Sequence, residues 1–201
     1  MNKNNCQLLN MIQSEVDKLI ATSENRIIVA IDGPCGSGKT SLANSLKEVY
    51  DCNVFSMDDF FLPQEMRHAE RYKEPGGNVH YERFLQEVIT NIKANIPFQY
   101  QVFNCKMMDF SHKIHVNPKG INIVEGVYSL HPALEHAYNY KVFLDIDEKE
   151  QRERILARNG GEMLKRFETM WIPLEKEYFE SFSIKDRCDL ILTSSSSFDF
   201  L

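Results

Sequence analysis

The run Gly33-Pro34-Cys35-Gly36-Ser37-Gly38-Lys39-Thr40 fits the spacing G-x-x-x-x-G-K-S/T, in which backbone amides, a lysine and a hydroxyl converge on a polyphosphate. Gly33, Gly36 and Gly38 allow backbone angles and close approaches that a side chain would block. A helix opening at Lys39-Thr40-Ser41 would aim its unpaired amides and positive dipole end at a β-phosphate. Cys35, Ser37 and Ser41 complete the expected lining, with Lys39 reaching the β- and γ-phosphates and the Thr40 hydroxyl holding Mg²⁺. The alternative, a Gly-rich turn before an ordinary helix, is disfavoured by the apolar run from Arg26 to Ile31 before it and the amphipathic stretch after it.

Two acidic sites accompany the loop. Asp58 and Asp59 lie in Ser56-Met57-Asp58-Asp59-Phe60-Phe61, and Glu125 lies in Val124-Glu125-Gly126. One carboxylate can serve Mg²⁺ while another accepts a proton from a substrate hydroxyl, and phosphoryl transfer to an alcohol needs both roles. Asp58 and Asp59 also suit a strand-closing turn, and Glu125-Gly126 a plain strand exit. Arg154 and Arg158 stand four apart on one expected helical face, where like charges repel unless an anion sits between them. They read as candidates for stabilising a transferring phosphoryl group, with Arg166 as a third. Glu150 precedes Arg154 by four, so an ordinary exposed ion pair competes with that reading. Gly160-Gly161 offers either a flexible point in a lid or a helix C-cap.

These groups must be positioned by repeating strand–helix units. Short apolar runs at Arg26–Ile31, Cys52–Ser56, Ile121–Val124, Val142–Leu144 and Leu190–Leu192 alternate with helical stretches at 81–95, 148–158 and 162–182. That alternation predicts an α/β fold of three layers, with about five parallel strands covered on both faces and ligands at the strands' carboxyl ends. Leu8, Ile12, Val16 and Leu19, with Met11 and Ile20 beside them, predict an amphipathic helix over 6–21 packed on the core. Two segments interrupt the alternation. Residues 62–80 are polar and rich in Pro and Gly, and read as a long loop, functional or disordered, rather than core. Phe98–Val102 and Lys113–Val116, with Asp109-Phe110-Ser111 between them, predict a β-hairpin flap. Trp171, Tyr178, Phe179 and Phe182 read as core, His131 and His136 as surface or capping residues, and Ser194–Ser197 as a frayed tail.

Composition narrows the possibilities. The 201 residues suit one domain with a small insertion, and a net charge of −6 argues against general nucleic-acid binding. No apolar run approaches the roughly 20 residues of a membrane span, and Met1-Asn2-Lys3-Asn4-Asn5 lacks a signal-peptide core, which predicts a cytoplasmic protein. The five cysteines are scattered without a C-x-x-C pair, so neither a disulfide framework nor a zinc site is expected. Cys35, beside a helix N-terminus, is either a reactive thiol or a tolerated loop residue. A guanine-nucleotide switch would need N-K-x-D and D-x-x-G, and an ABC-type ATPase L-S-G-G-Q; the sequence has none of them.

Over about residues 26–193 the chain resembles the uridine kinase and phosphoribulokinase group of P-loop kinases. In that group a phosphate loop, an Asp-x-Phe-Tyr/Phe element, a strand-terminal Glu-Gly and an Arg-rich lid occur in this order. The resemblance implies a P-loop NTPase-type fold in a single domain over 1–201, with an N-terminal helix (1–22), an acceptor-binding loop and flap (62–116) and an Arg-rich lid (148–170). It implies ATP and Mg²⁺ as cofactors, Asp58 (or its neighbour Asp59) as catalytic base and magnesium contact, and Glu125 as the second magnesium-side carboxylate. His80, Tyr81 and Glu82 fall where nucleoside kinases hold ribose, although Glu82 equally suits a capping acid. Tyr100 and Phe103 fall where the flap encloses a base. The Tyr and His pattern that reads a pyrimidine in uridine kinases is not evident after Phe103. The implied activity is phosphorylation of a small-molecule hydroxyl, first the 5′-hydroxyl of uridine or a related nucleoside. The alternatives are another metabolite such as nicotinamide riboside or pantothenate, or a nucleotide-binding regulatory NTPase. A homo-oligomer is compatible with this.

Overall fold

The structure is a computed structural model that describes residues 3–23 and 25–194. Five strands form a parallel sheet in the order β2-β5-β1-β6-β7: β1 (Ile27–Asp32), β2 (Cys52–Ser56), β5 (Ile121–Glu125), β6 (Tyr140–Ile146) and β7 (Leu190–Ser194). The remaining two strands, β3 (Phe98–Asn104) and β4 (Asp109–Val116), pair with each other as an antiparallel hairpin. Every residue of β1 is buried. Alternation along the strand sends Ile28 and Ala30 into one core, with Phe55, Phe84 and Tyr178, and Ile27, Val29 and Ile31 into the other, with Ile12, Leu42 and Leu46. Such a central strand needs an unbroken apolar run, and the sequence supplies one.

The register decides what meets at the carboxyl edge. Ile31 pairs with Glu125, and Glu125 with Ser56, so the ends of β1, β5 and β2 lie level. The chain leaves β1 for one side of the sheet, and β6 lies on the other, which makes the end of β1 a topological switch point. Helix Lys39–Val49 follows the glycine loop and buries Leu42, Ala43 and Leu46 against the sheet. Helix Glu148–Asn159 is capped by the Asp147 carboxylate, which accepts from the Lys149 and Glu150 amides. After it, helices Gly161–Arg166 and Ile172–Ser181 are joined by a π-helical turn at Phe167–Trp171.

The structure corrects several sequence expectations. The N-terminal helix, Lys3–Thr22, buries Leu9, Ile12 and Val16 but leaves Met11 and Ile20 exposed, while the Leu8 side chain lies outside the described residues. Segment 62–80 is not excluded from the core: Leu62 and Val79 are fully buried, and Phe61 bridges Val79 to close the loop at its base. Asp109-Phe110-Ser111 belongs to β4, and the hairpin turns at 105–108 instead. Trp171 leaves the core and pairs with Phe167 on a half-exposed surface, whereas Tyr178 is fully buried. Ser194 ends β7 and is buried; residues 195–197 lie outside the described residues. Among the described residues, no helix is long and apolar enough to cross a membrane.

Candidate active site

At the end of β1, Asp32 anchors the phosphate loop from beneath. Its buried carboxylate accepts from the amides of Gly33 (2.7 Å), Tyr128 (3.2 Å) and Leu130 (2.9 Å) and from the Tyr178 hydroxyl (2.8 Å). Burial raises its pKa to about 6, against the pull of those donors and of the Lys39 charge. Gly33 follows at φ +140, and a Cβ there would stand 2.2 Å from the Leu144 carbonyl oxygen, so only glycine lets the loop rest on β6. The Lys39 ammonium, almost fully buried, donates to the carbonyls of Gly33 (2.7 Å) and Pro34 (2.9 Å). Arg154 spans both readings offered by the sequence. It pairs with Glu150 (2.5 Å) and also donates to the loop carbonyls of Gly36 (3.2 Å) and Ser37 (3.4 Å).

The carboxylates gather beside this loop. Glu125, almost fully buried, accepts from the Ser56 hydroxyl through Oε1 (2.9 Å) and from the Thr40 hydroxyl through Oε2 (3.2 Å). Burial raises its pKa, while Ser56, Lys39 and Thr40 oppose the rise. Gly126 turns the chain immediately after it at φ +132, and a Cβ there would meet the Met57 Cβ at 2.9 Å. The Glu125 and Asp58 segments therefore abut. Asp58 projects to solvent with no hydrogen-bond partner among the described residues. Surrounding protein still thins its hydration and raises its pKa, and the charges of Lys39 and Arg158 draw it back down. Asp59 is committed elsewhere: its carboxylate accepts from the Tyr100 hydroxyl (3.1 Å) and its carbonyl from Arg83 (2.9 Å).

The pair Thr40–Glu125 with Asp58 nearby supplies hard oxygen donors. Among the described residues no three His, Cys, Asp or Glu side chains converge as a protein-only metal cage. Magnesium asks for less, because it is ordinarily held by one or two carboxylates together with substrate phosphates and water. The residues present fit that demand.

The sequence-predicted acceptor residues are taken up by internal partners. His80 caps helix Tyr81–Phe84, its Nδ1 accepting from the Arg83 amide at 3.3 Å. Tyr81 stacks on His131 at 3.8 Å, lies under the Arg71 guanidinium at 4.6 Å and donates to Glu74 at 2.6 Å. Both oxygens of Glu82 accept from Arg71, at 2.6 and 2.8 Å. Burial pushes the Glu82 pKa up, but Arg71 and the residue's own backbone amide outweigh it and hold the carboxyl at about 2. Arg71 also donates to the carbonyls of Gly77 (2.8 Å) and Val79 (3.0 Å), so one guanidinium ties the second half of the 62–80 loop together. Tyr100 is buried against Phe60 (5.2 Å) and Phe55 (6.0 Å), and Phe103 is buried edge-on to Phe110 (5.6 Å). Neither ring presents an open face. Among the described residues Arg158 hydrogen-bonds its neighbour Asn159 (2.8 Å), and exposed Arg166 lies 5.7 Å over Trp171.

Sequence reasoning missed Asp32, Gln151, Glu175 and Arg83. Asp32 carried a signal, a carboxylate ending an otherwise apolar strand. Arg83 joins the flap to the Asp59 turn through the Gln101 carbonyl (2.8 Å) while lying 4.3 Å over Phe60. Cys35 is not activated by the nearby helix: burial first, then Glu175, pushes its thiol pKa upward.

With this geometry the resemblance to known proteins can be located. A uridine kinase from Oceanobacillus iheyensis is 29% identical over 137 residues, which are 63% of this chain and 64% of that protein. A uridine kinase from a Geobacillus species is 28% identical over 155 residues, 72% of each chain. A solved structure described as a possible uridine kinase from Bacillus stearothermophilus superposes with a TM-score of 0.70 at 19% identity, covering 92% of this chain and 99% of the other. The chain is similar to uridine kinases and shares the P-loop kinase fold. No protein-family profile matches it. The matched stretch spans a little under two thirds of the Oceanobacillus relative, so the likeness to uridine kinases applies to that stretch.

Proposed function

We propose that this protein is an ATP-dependent kinase that moves the γ-phosphoryl group of Mg·ATP to a hydroxyl of a small acceptor. The observation that carries the reading is the meeting of Thr40 and Glu125 beside a lysine-bearing phosphate loop, with Asp58 left open next to them. The names of the sequence relatives support it. The loop amides and Lys39 hold the phosphates, and Arg158 balances charge near Asp58. Thr40 and Glu125 would hold Mg²⁺, which would supply positive charge against the phosphates during transfer. Asp58 accepts the acceptor's hydroxyl proton as the new O–P bond forms and the bond to the ADP oxygen breaks. A carboxylate whose pKa is already raised is suited to that role.

Uridine or a related nucleoside is the first acceptor to test, on the strength of the relatives' names. One observation favours a different acceptor: Glu82, at the position where ribose hydroxyls would be held, is locked to Arg71. Nicotinamide riboside and pantothenate therefore belong on the same panel. The test is ADP release coupled to product analysis across that panel, with Lys39→Ala as control; acceptor-dependent turnover lost in Lys39→Ala is the expected result. Equal phosphorylation by Lys39→Ala would contradict the reading.

A further inference from the structure

A phosphate loop binds anions with its backbone amides, and in this protein one of those amides already faces an internal anion. The Glu175 carboxylate, only 4% exposed, accepts from the Cys35 amide at 2.9 Å, bridging 140 positions of sequence. Nothing in the local sequence demands a carboxylate there. The preceding turn of the helix carries Pro173 and Leu174, and a buried unpaired Glu is costly unless it is hydrogen-bonded. The contact is one of several. Gln151, from helix Glu148–Asn159, donates its Nε2 to the Cys35 carbonyl at 2.9 Å and to the Cys35 sulfur at 3.3 Å. The peptide units on both sides of Cys35 are thereby held, the N–H by Glu175 and the C=O by Gln151. Glu175 and Gln151 belong to the two helices that bracket residues 160–171, the stretch carrying Arg166. One turn beyond Glu175, Tyr178 reaches Asp32 under the same loop.

We infer that Glu175 is a positioning residue for nucleotide binding: by taking the Cys35 amide it fixes the first half of the phosphate loop and couples that loop to the two helices that bracket residues 160–171. This rests on the kinase reading above. The reason is geometric. A loop of glycines has many backbone states open to it, and each must be suppressed before the amides from Gly36 to Thr40 can point together at a phosphate. Asp32 fixes the entry of the loop and the helix fixes its exit; Glu175 and Gln151 fix the middle.

Three substitutions separate reach from charge, because the Cys35 amide needs only an acceptor oxygen whereas the Lys39 charge, which also faces Glu175, needs the carboxylate. Glu175→Gln keeps an oxygen at the same reach without the charge. Glu175→Asp keeps the charge but is one methylene too short. Glu175→Ala keeps neither. The readout is the dissociation constant of a fluorescent ATP analogue, titrated directly in the absence of any acceptor, with KM for ATP and for the acceptor measured separately. Glu175→Gln is expected within about threefold of wild type, and Glu175→Asp and Glu175→Ala are expected to bind nucleotide about tenfold or more weakly, with acceptor KM unmoved. Wild-type nucleotide affinity in Glu175→Asp, or a loss in Glu175→Gln equal to that in Glu175→Ala, would overturn the inference. A wild-type protein that binds no nucleotide would instead overturn the kinase reading, so the two failures are distinguishable.

Discussion

The Thr40 hydroxyl donates to Glu125 Oε2 at 3.2 Å across 85 positions of sequence, joining the first residues of the loop helix to the end of β5. The contact exists because β1, β5 and β2 end level in a parallel register, so that Ser56 can hold the other Glu125 oxygen. A carboxylate oriented from both sides is suited to a magnesium ion whose remaining ligands come from phosphate and water.

Magnesium dependence should therefore follow Glu125 and its orienting hydroxyl. Glu125→Ala is expected to abolish measurable turnover at ordinary magnesium. Ser56→Ala leaves the carboxylate in place but unheld on one side, and should raise the magnesium concentration needed for half-maximal rate by about tenfold. A magnesium titration of ADP release checks both.

Arg158 should set the acid limb of the pH–rate profile. Its positive charge helps keep the Asp58 pKa from rising further under desolvation. Removing that charge in Arg158→Ala raises the Asp58 pKa, so the base form appears at higher pH and the acid limb of kcat moves upward. An unmoved limb in a full pH profile would detach Arg158 from Asp58.

The 62–80 loop should depend on the Arg71–Glu82 pair. Glu82 has its pKa lowered from 4.5 to about 2, so its stabilising contribution is present above pH 4.5 and lost as pH falls toward 2. Glu82→Gln at neutral pH should loosen the loop in the same way. Limited proteolysis within 62–80 is expected to speed up several-fold in Glu82→Gln while the global melting transition changes little.

Asp32 gives the opposite sign. Its pKa is raised from 3.8 to about 6 by burial, so its contribution is fully present below pH 3.8 and lost as pH rises through 6. Denaturant unfolding of wild type and Asp32→Asn between pH 4 and pH 7 should show the wild type's relative stability falling across that window, by on the order of 3 kcal/mol. A constant difference would mean that the carboxyl is not perturbed.

Much of this architecture was legible in the sequence, because the sheet strands are short apolar runs and the phosphate loop is a contiguous motif whose residue types carry their own mechanism. The places of Asp58, Glu125 and Arg154 in the fold are legible for a related reason: each sits at a strand end or on a helix face that periodicity can place. The acceptor side was not. Whether Glu82 faces a ligand or an arginine depends on Arg71, eleven positions earlier in a segment without periodicity. Tyr100 and Phe103 fall where the flap of the resembled family encloses a base, yet in this hairpin both rings are buried. Glu175 and Gln151 reach the loop over more than a hundred positions, and only tertiary packing brings them there.

The measurement that bears most directly on phosphoryl transfer to a hydroxyl compares wild type and Asp58→Asn for transfer of labelled γ-phosphate from ATP to uridine and the other acceptors. Asp58 is open where Asp59 is bonded to Tyr100, so Asp58→Asn should lower kcat by about 10²- to 10⁴-fold with nucleotide affinity preserved. Asp59→Asn should mainly loosen the flap. ATP hydrolysis that proceeds at one slow rate with every acceptor, and is unchanged in Asp58→Asn, would contradict the account and favour a nucleotide-binding regulator.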